Sequence, residues 1–146
     1  MSMPSSIKIP RRVLRVERGV LDTSVVLDYE QLPVERLPAL AAITAVTLAE
    51  LAAGPHAVTD IQERSRRQAR LQWAESEFTA LPFDAGAARA YARVYAAVVA
   101  DGRKPRGARV VDLLIAATAL SRGIPLYTRN AEDFTSLHSV MRIVSL

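Results

Sequence analysis

The apolar residues of this chain fall into short runs that stop at hydrogen-bonding residues, with longer stretches of helical spacing between them. Gly19-Val20-Leu21 stops at Asp22-Thr23-Ser24. Ala42-Ile43-Thr44-Ala45-Val46 leads into Thr47-Leu48-Ala49-Glu50, and Pro125-Leu126-Tyr127-Thr128 stops at Arg129-Asn130. Runs of this length read as strands. Strands separated by helices pair in parallel, because a parallel pair needs a crossover of a dozen or more residues. The alternation therefore predicts an α/β fold with a mostly parallel sheet.

The spacing predicts a short helix from 24 to about 30, then a loop punctuated by Pro33 and Pro38. A strand over 42–46 and a helix over 47–53 follow, stopped by Gly54-Pro55. Residues 59–78 form a polar helix with Arg64, Arg66, Arg67 and Arg70, read as a solvated face. A brief strand and turn at 81–84 precede an Ala-rich helix over 85–100, in which Tyr91 and Tyr95 stand one turn apart as packing or partner-contact residues. A basic loop over 101–109 leads to a strongly apolar helix over 110–122, closed by Gly123. Strands at 125–128 and 141–144 complete the pattern. Ahead of all this, residues 1–17 read as a basic arm, carrying Lys8, Arg11, Arg12 and Arg15 and a short strand at 13–16. The domain proper is expected over 18–146.

A chain of 146 residues fits one domain, and its 50% apolar content is enough to build a core without staples. Cysteine is absent, which excludes disulfides, thiolate metal sites and a Cys nucleophile and suits a reducing cytoplasm. No run of about 18 apolar residues suggests a membrane span, and the first ten residues lack the apolar region of a signal peptide. The formal charge of +4 is carried almost wholly by arginine, Lys8 and Lys104 being the only lysines. Arginine's planar fork matches phosphate oxygens, and a basic surface is drawn to nucleic acid.

Four acids stand where a site forms. In an open parallel sheet, ligands bind outside the carboxyl ends of the strands. Asp22 follows the first strand, Glu50 lies on the helix after the second, and Asp133 follows the strand ending at Thr128. Asp112, near the start of the apolar helix, can point to the same edge. Each also has a plain structural reading. Asp22 fits a helix cap or Asx turn. Thr47-x-x-Glu50 fits a capping box, and Asp133 stands three residues after Asn130 like the first turn of a capped helix. Asp112 resists such a reading, because it shares a helix face with Ile115, Ala116 and Ala119. An ionised carboxylate there is costly unless paired, hydrogen-bonded or on a metal. Arg109 offers a possible ion pair.

Carboxylates gathered in one cleft repel each other and raise each other's pKa, and a divalent cation removes that penalty. All-oxygen ligation suits Mg²⁺ or Mn²⁺ rather than zinc. Thr23, Ser24, Thr128 and Asn130 are placed to orient the carboxylates or bound water. Arg103, Lys104, Arg106 and Arg109 precede Asp112 and are placed either to grip nucleic-acid phosphates or to sit in solvent.

Four segments in order carry a resemblance: Val20-Leu21-Asp22-Thr23-Ser24-Val25, Leu48-Ala49-Glu50-Leu51, Val111-Asp112-Leu113-Leu114-Ile115-Ala116-Ala117-Thr118-Ala119, and Tyr127-Thr128-Arg129-Asn130-Ala131-Glu132-Asp133-Phe134. Together they resemble the motifs of PIN-domain nucleases and, within that family, the VapC-type toxins of bacterial toxin–antitoxin pairs. The resemblance runs from about Gly19 to Leu146. It implies a three-layer α/β/α fold with a sheet of four or five strands. It implies Mg²⁺- or Mn²⁺-dependent cleavage of RNA, with the family's acids falling on Asp22, Glu50, Asp112 and Asp133. It also implies a homodimer and a small antitoxin that obstructs the active site. Two features depart from the family pattern: about eighteen residues precede the first strand, and Asn130 stands where some relatives carry an additional acid. The second lessens the case for a strongly bound second ion.

Other readings fit less well. A phosphatase of the haloacid-dehalogenase type wants a second acid two residues after Asp22, where Ser24 stands. A receiver domain wants a Lys after a late strand, where Arg129 stands. No Walker loop occurs, and no G-x-G-x-x-G follows a strand. The alternative from a different class is a non-catalytic PIN-like module that holds RNA or protein without cutting.

Overall fold

The computed structural model describes residues 17–146. The arm expected over 1–17, with its strand at 13–16, lies outside the described residues apart from Glu17. Among these residues the chain forms one five-stranded sheet, in the order β3-β2-β1-β4-β5. The strands are β1 (Arg18–Leu21), β2 (Leu40–Thr44), β3 (Thr79–Leu81), β4 (Leu126–Thr128) and β5 (Ile143–Ser145). All four pairings are parallel, as expected from the helices between the runs.

The helices cover both faces. Successive residues of a strand point to opposite sides, and the core divides accordingly. Val20 and Leu126 pack with Val94 and Val98 of α4 (Ala85–Ala100), Leu113 and Ile115 of α5 (Ala108–Ser121), and Phe134. Leu21, Ile43 and Tyr127 pack on the other side with Val25 and Val26 of α1 (Thr23–Leu27), Leu51 of α2 (Ala45–Ala53) and Ala74 of α3 (Ile61–Glu77). This is the expected three-layer arrangement. Gly19 allows the strands to close: a Cβ there would meet Tyr127 Cε1 at 2.5 Å and Pro38 Cγ at 2.6 Å.

Several boundaries differ from expectation. The first helix stops at Leu27, and a separate 3₁₀ turn, Tyr29–Gln31, follows. β2 ends two residues early and α2 starts at Ala45, not at 47. Thr44 is still extended (φ −99°, ψ 160°), and its hydroxyl accepts from Thr47 N at 3.1 Å, so Thr44 rather than Thr47 caps α2. The last strand starts two residues later and ends one later, at Ile143–Ser145. α5 starts two residues earlier than expected and ends at Ser121, and Gly123 (φ +65°) closes it as expected, with Gly123 N and Ile124 N donating to Leu120 O and Ala119 O.

The winding reverses between β1 and β4, with β2 and β3 added beyond β1 on one side and β5 beyond β4 on the other. The chain ends of β1 and β4 therefore leave a crevice at their carboxyl edge, the place where such sheets bind ligands.

Candidate active site

Asp22 occupies that crevice. It is 4% exposed, and its backbone continues the ladder by donating to Tyr127 O at 3.0 Å. Its carboxylate caps α1, with Oδ1 accepting from Val25 N at 3.2 Å. Ser24 Oγ donates to the same oxygen at 2.5 Å, and Thr128 Oγ1 donates to Oδ2 at 2.5 Å. Each hydroxyl also accepts a backbone N–H: Arg129 N on Ser24 Oγ at 3.1 Å and Asn130 N on Thr128 Oγ1 at 3.0 Å. With those N–H groups on the oxygens, both hydroxyl protons face Asp22. Burial pushes the Asp22 carboxyl above its ordinary value, and these hydrogen bonds pull against it. The cap reading of Asp22 therefore holds, and it is compatible with the site reading. Asn130 contributes through its backbone N–H, and its side chain makes no capping bond.

Glu50 is not a capping residue. The Thr47 amide it would have reached is taken by Thr44 Oγ1. Instead the carboxylate is turned toward α1, where Thr23 Oγ1 donates to Glu50 Oε1 at 2.6 Å. α2 is fixed behind it by two arginines of α3. Arg64 donates to Pro55 O and Val58 O at 3.1 and 2.9 Å, and Arg67 to Gly54 O at 3.1 Å. The Arg-rich helix is thus more than a solvated face: two of its cations satisfy carbonyls that the break at Gly54-Pro55 frees from helical bonding. That break was the available sequence signal. Arg66 and Arg67 also pair with Glu63.

Asp112 lies in the second turn of α5, above the fully buried Ile115, Ala116 and Ala119. Its carboxyl is pushed up to about 6, first by burial and then by the charges of Asp22, Asp133 and Glu50, with Arg109 pulling weakly the other way. The charges felt at Asp112 come from all three other acids. Arg109 acts on Asp112 through charge alone: the ion pairs among the described residues do not include it. Asp133 stands in the 3₁₀ segment Ala131–Leu137, solvent-facing, with its amide on Asn130 O at 2.9 Å.

The basic loop reaches the same neighbourhood. Ser136 Oγ, on the segment that carries Asp133, donates to Asp101 Oδ2 at 2.7 Å. Arg103 pairs with Asp101 at 3.5 Å, while Lys104 and Arg106 are exposed. Beside Glu50 lies a recess of about 280 Å³ lined by Thr23, Leu27, Glu50, Arg67 and Arg70 among others. Trp73, with Tyr29 and Phe78, forms an aromatic cluster between α1 and α3, with centroids 5.1 to 5.5 Å apart.

The donor set favours a hard divalent cation. A carboxylate offers about four lone-pair sites. Three of these on Asp22 and one on Glu50 take the hydrogen bonds described above, and Asp112 takes none, so every acid keeps capacity. Among the described residues no three acidic or imidazole groups are drawn together closely enough to enclose an ion by themselves. Mg²⁺ retains several waters and uses few carboxylates, so these acids would hold it partly through water.

The sequence matches the family described as PIN domain over residues 19–137. Ribonuclease VapC5 of Mycobacterium tuberculosis is 40% identical over 122 residues, which is 82% of this chain and 87% of that protein. Ribonuclease VapC of Rickettsia bellii is 35% identical over 123 residues, covering 84% and 82%. Among solved structures, VapBC-5 from Mycobacterium tuberculosis, a member of the VapBC family of toxin–antitoxin systems, superposes with a TM-score of 0.78 at 37% identity, covering 88% of this chain and 98% of that one. VapBC2 from Rickettsia felis gives 0.71 at 21% identity, a likeness of fold.

Proposed function

The chain belongs to the PIN-domain family, with VapC proteins among its relatives, and from that premise we propose that it is the toxin of a toxin–antitoxin pair, an endoribonuclease that hydrolyses RNA phosphodiesters. The observation that carries this reading is the convergence on Asp112: a half-buried carboxyl raised by the charges of Asp22, Asp133 and Glu50 at the carboxyl edge of the sheet. Asp112, raised by the charges of the other three acids and paired to no cation among the described residues, is arranged for a charge that arrives from outside.

Asp22, Glu50, Asp112 and Asp133 would hold Mg²⁺ or Mn²⁺, directly or through water. Such an ion, when bound, offsets phosphate charge and makes water a better nucleophile near neutral pH. The protein's own part is orientation. Asp22 is fixed by donors from β4 and α1, so its free lone pair keeps one direction. Glu50 is fixed by Thr23. Lys104 and Arg106, with Arg103 and Arg109 beside them, supply positive charge on the approach to Asp112 and would grip phosphates flanking the scissile bond. The VapBC relatives support a cognate antitoxin as partner, and a homodimer and a cytoplasmic location belong to the same reading. No helix among the described residues is long and apolar enough to cross a membrane.

The test is cleavage of total RNA by the purified protein in Mg²⁺ or Mn²⁺, with EDTA and with Asp112→Asn. EDTA-sensitive cutting that disappears in the variant supports the nuclease. Folded protein that binds RNA yet cuts nothing with either ion would favour the non-catalytic module, and cutting that survives both EDTA and the substitution would refute the carboxylate site.

A further inference from the structure

We propose that Thr47 is a positioning residue for Glu50, acting through a one-way chain of threonine hydroxyls that ends on the Glu50 carboxylate. The inference rests on the reading of Glu50 as a site carboxylate. Thr47 is fully buried. Its Oγ1 lies 3.2 Å from Thr23 Oγ1 and 3.5 Å from Thr44 Oγ1, and Thr23 Oγ1 lies 2.6 Å from Glu50 Oε1.

The direction of the chain follows from counting protons. Each hydroxyl has one proton to give and two lone pairs. An ionised carboxylate has no proton, so the Thr23 proton goes to Glu50, in a short, charge-assisted bond. Thr23 then faces Thr47 only as an acceptor, and Thr47 must donate to it. Thr47 is in turn an acceptor toward Thr44, whose oxygen already takes the Thr47 amide at 3.1 Å. The chain runs from the cap of α2, through the buried Thr47, across to α1, and back to Glu50 on α2. A solvent-facing Glu ordinarily samples many rotamers. Here the rotor of Thr23 is set from below by Thr47, so Glu50 Oε1 is held and Oε2 would be left free to bind a cation in a constant direction. Partners that orient a ligand in this way commonly change metal affinity by about 10–100-fold when removed.

The experiment uses Thr47→Val, which keeps the buried bulk without the hydroxyl, Thr47→Ser, which keeps the hydroxyl, and Thr23→Val, which removes the link without touching the buried site. Mn²⁺ alone is titrated into each protein by calorimetry. High-resolution crystal structures of the metal-free proteins report the Thr23 rotamer and the Glu50 carboxylate. Thr47→Val should weaken Mn²⁺ binding by about 10-fold and lower kcat while leaving KM for RNA unchanged, and Thr47→Ser should restore both to within about twofold. The double variant Thr23→Val/Thr47→Val should lose no more than Thr23→Val alone, because the two act in one chain. Wild-type Mn²⁺ affinity in folded Thr47→Val, or additive losses in the double variant, would overturn the proposal. If the wild-type protein neither binds Mn²⁺ nor cuts RNA, the ribonuclease reading fails, and the metal-free crystals decide this one separately. Glu50 released from Thr23 in Thr47→Val but not in Thr47→Ser upholds the chain; Glu50 still bonded to Thr23 in Thr47→Val refutes it.

Discussion

Thr128, the last residue of β4, donates its hydroxyl proton to Asp22, the residue after β1, across a 2.5 Å bond between positions 106 apart in the chain. The bond ties together the two strands on either side of the switch point. The groups it joins are both buried, so neither finds a substitute in water.

Thr128→Val should therefore cost both stability and activity. It removes one donor from a buried carboxylate and strands the Asn130 N–H, and losses of this kind run to about 1–3 kcal/mol. Thermal unfolding should show a midpoint lower by several degrees, and RNA cleavage should fall with it. Thr128→Ser, which keeps the hydroxyl, should recover most of both. A Val variant as stable as the parent would mean that the bond does not hold the crevice.

Asp112 makes a prediction of opposite sign. Its carboxyl is pushed up from 3.8 to about 6 in the folded protein. A group that binds its proton more tightly when folded favours the folded state while protonated. That contribution is complete below about 3.8 and is lost as the pH passes through about 6. In EDTA, Asp112→Asn should thus match the wild type near pH 4 and unfold at a higher temperature at pH 8, by about 2–6 °C. Adding Mn²⁺ at pH 8 should reverse the order, because only the intact quartet gains from the ion. A variant less stable than the wild type in EDTA at pH 8 would show that Asp112 is a structural acid.

What could be read from the sequence was local. α4 starts at Ala85 and ends at Ala100 as expected, because its signals, helical spacing after a turn that ends in Asp84, lie within a few residues of each other. The start of α2 is not legible in the sequence, because Thr44 and Thr47 are both competent caps and Val46 suits a strand. The choice was made by β3, whose pairing with β2 runs to Thr44↔Leu81, a contact between distant segments. The same divide runs through the site. The place of Asp22 after a strand is visible in six residues. The turning of Glu50 toward Thr23, and the bonds of Arg64 and Arg67 to the carbonyls after α2, depend on how helices pack, and no spacing rule carries that.

Glu50 separates a cap from a site residue cleanly. Had it closed a capping box, its loss would destabilise α2 by about 0.5–2 kcal/mol. Because the Thr47 amide is bound to Thr44 instead, Glu50→Gln should leave the unfolding midpoint within about 1–2 °C of wild type, surface changes being typically within ±0.5 kcal/mol. Metal-dependent cleavage should nevertheless collapse. A large drop in stability with activity retained in the surviving folded fraction would restore the capping role.

The basic loop tests the path by which RNA reaches the acids. Lys104 and Arg106 are exposed and absent from the ion pairs of the described residues, whereas Arg103 is drawn to Asp101, which Ser136 also holds. The loop is therefore anchored at one end and presents free cations at the other. Each phosphate contact releases counterions and adds about 0.7 to the slope of log affinity against log salt on single-stranded nucleic acid. Lys104→Gln/Arg106→Gln, made in the Asp22→Asn background that is expected not to cut, should weaken binding of RNA and flatten that slope by about 1–1.5. Arg103→Gln alone should change it less, since its charge is partly spent on Asp101. An unchanged slope in the double variant would place the RNA path elsewhere on the protein, and the arginines of the loop would then be no more than a solvated surface.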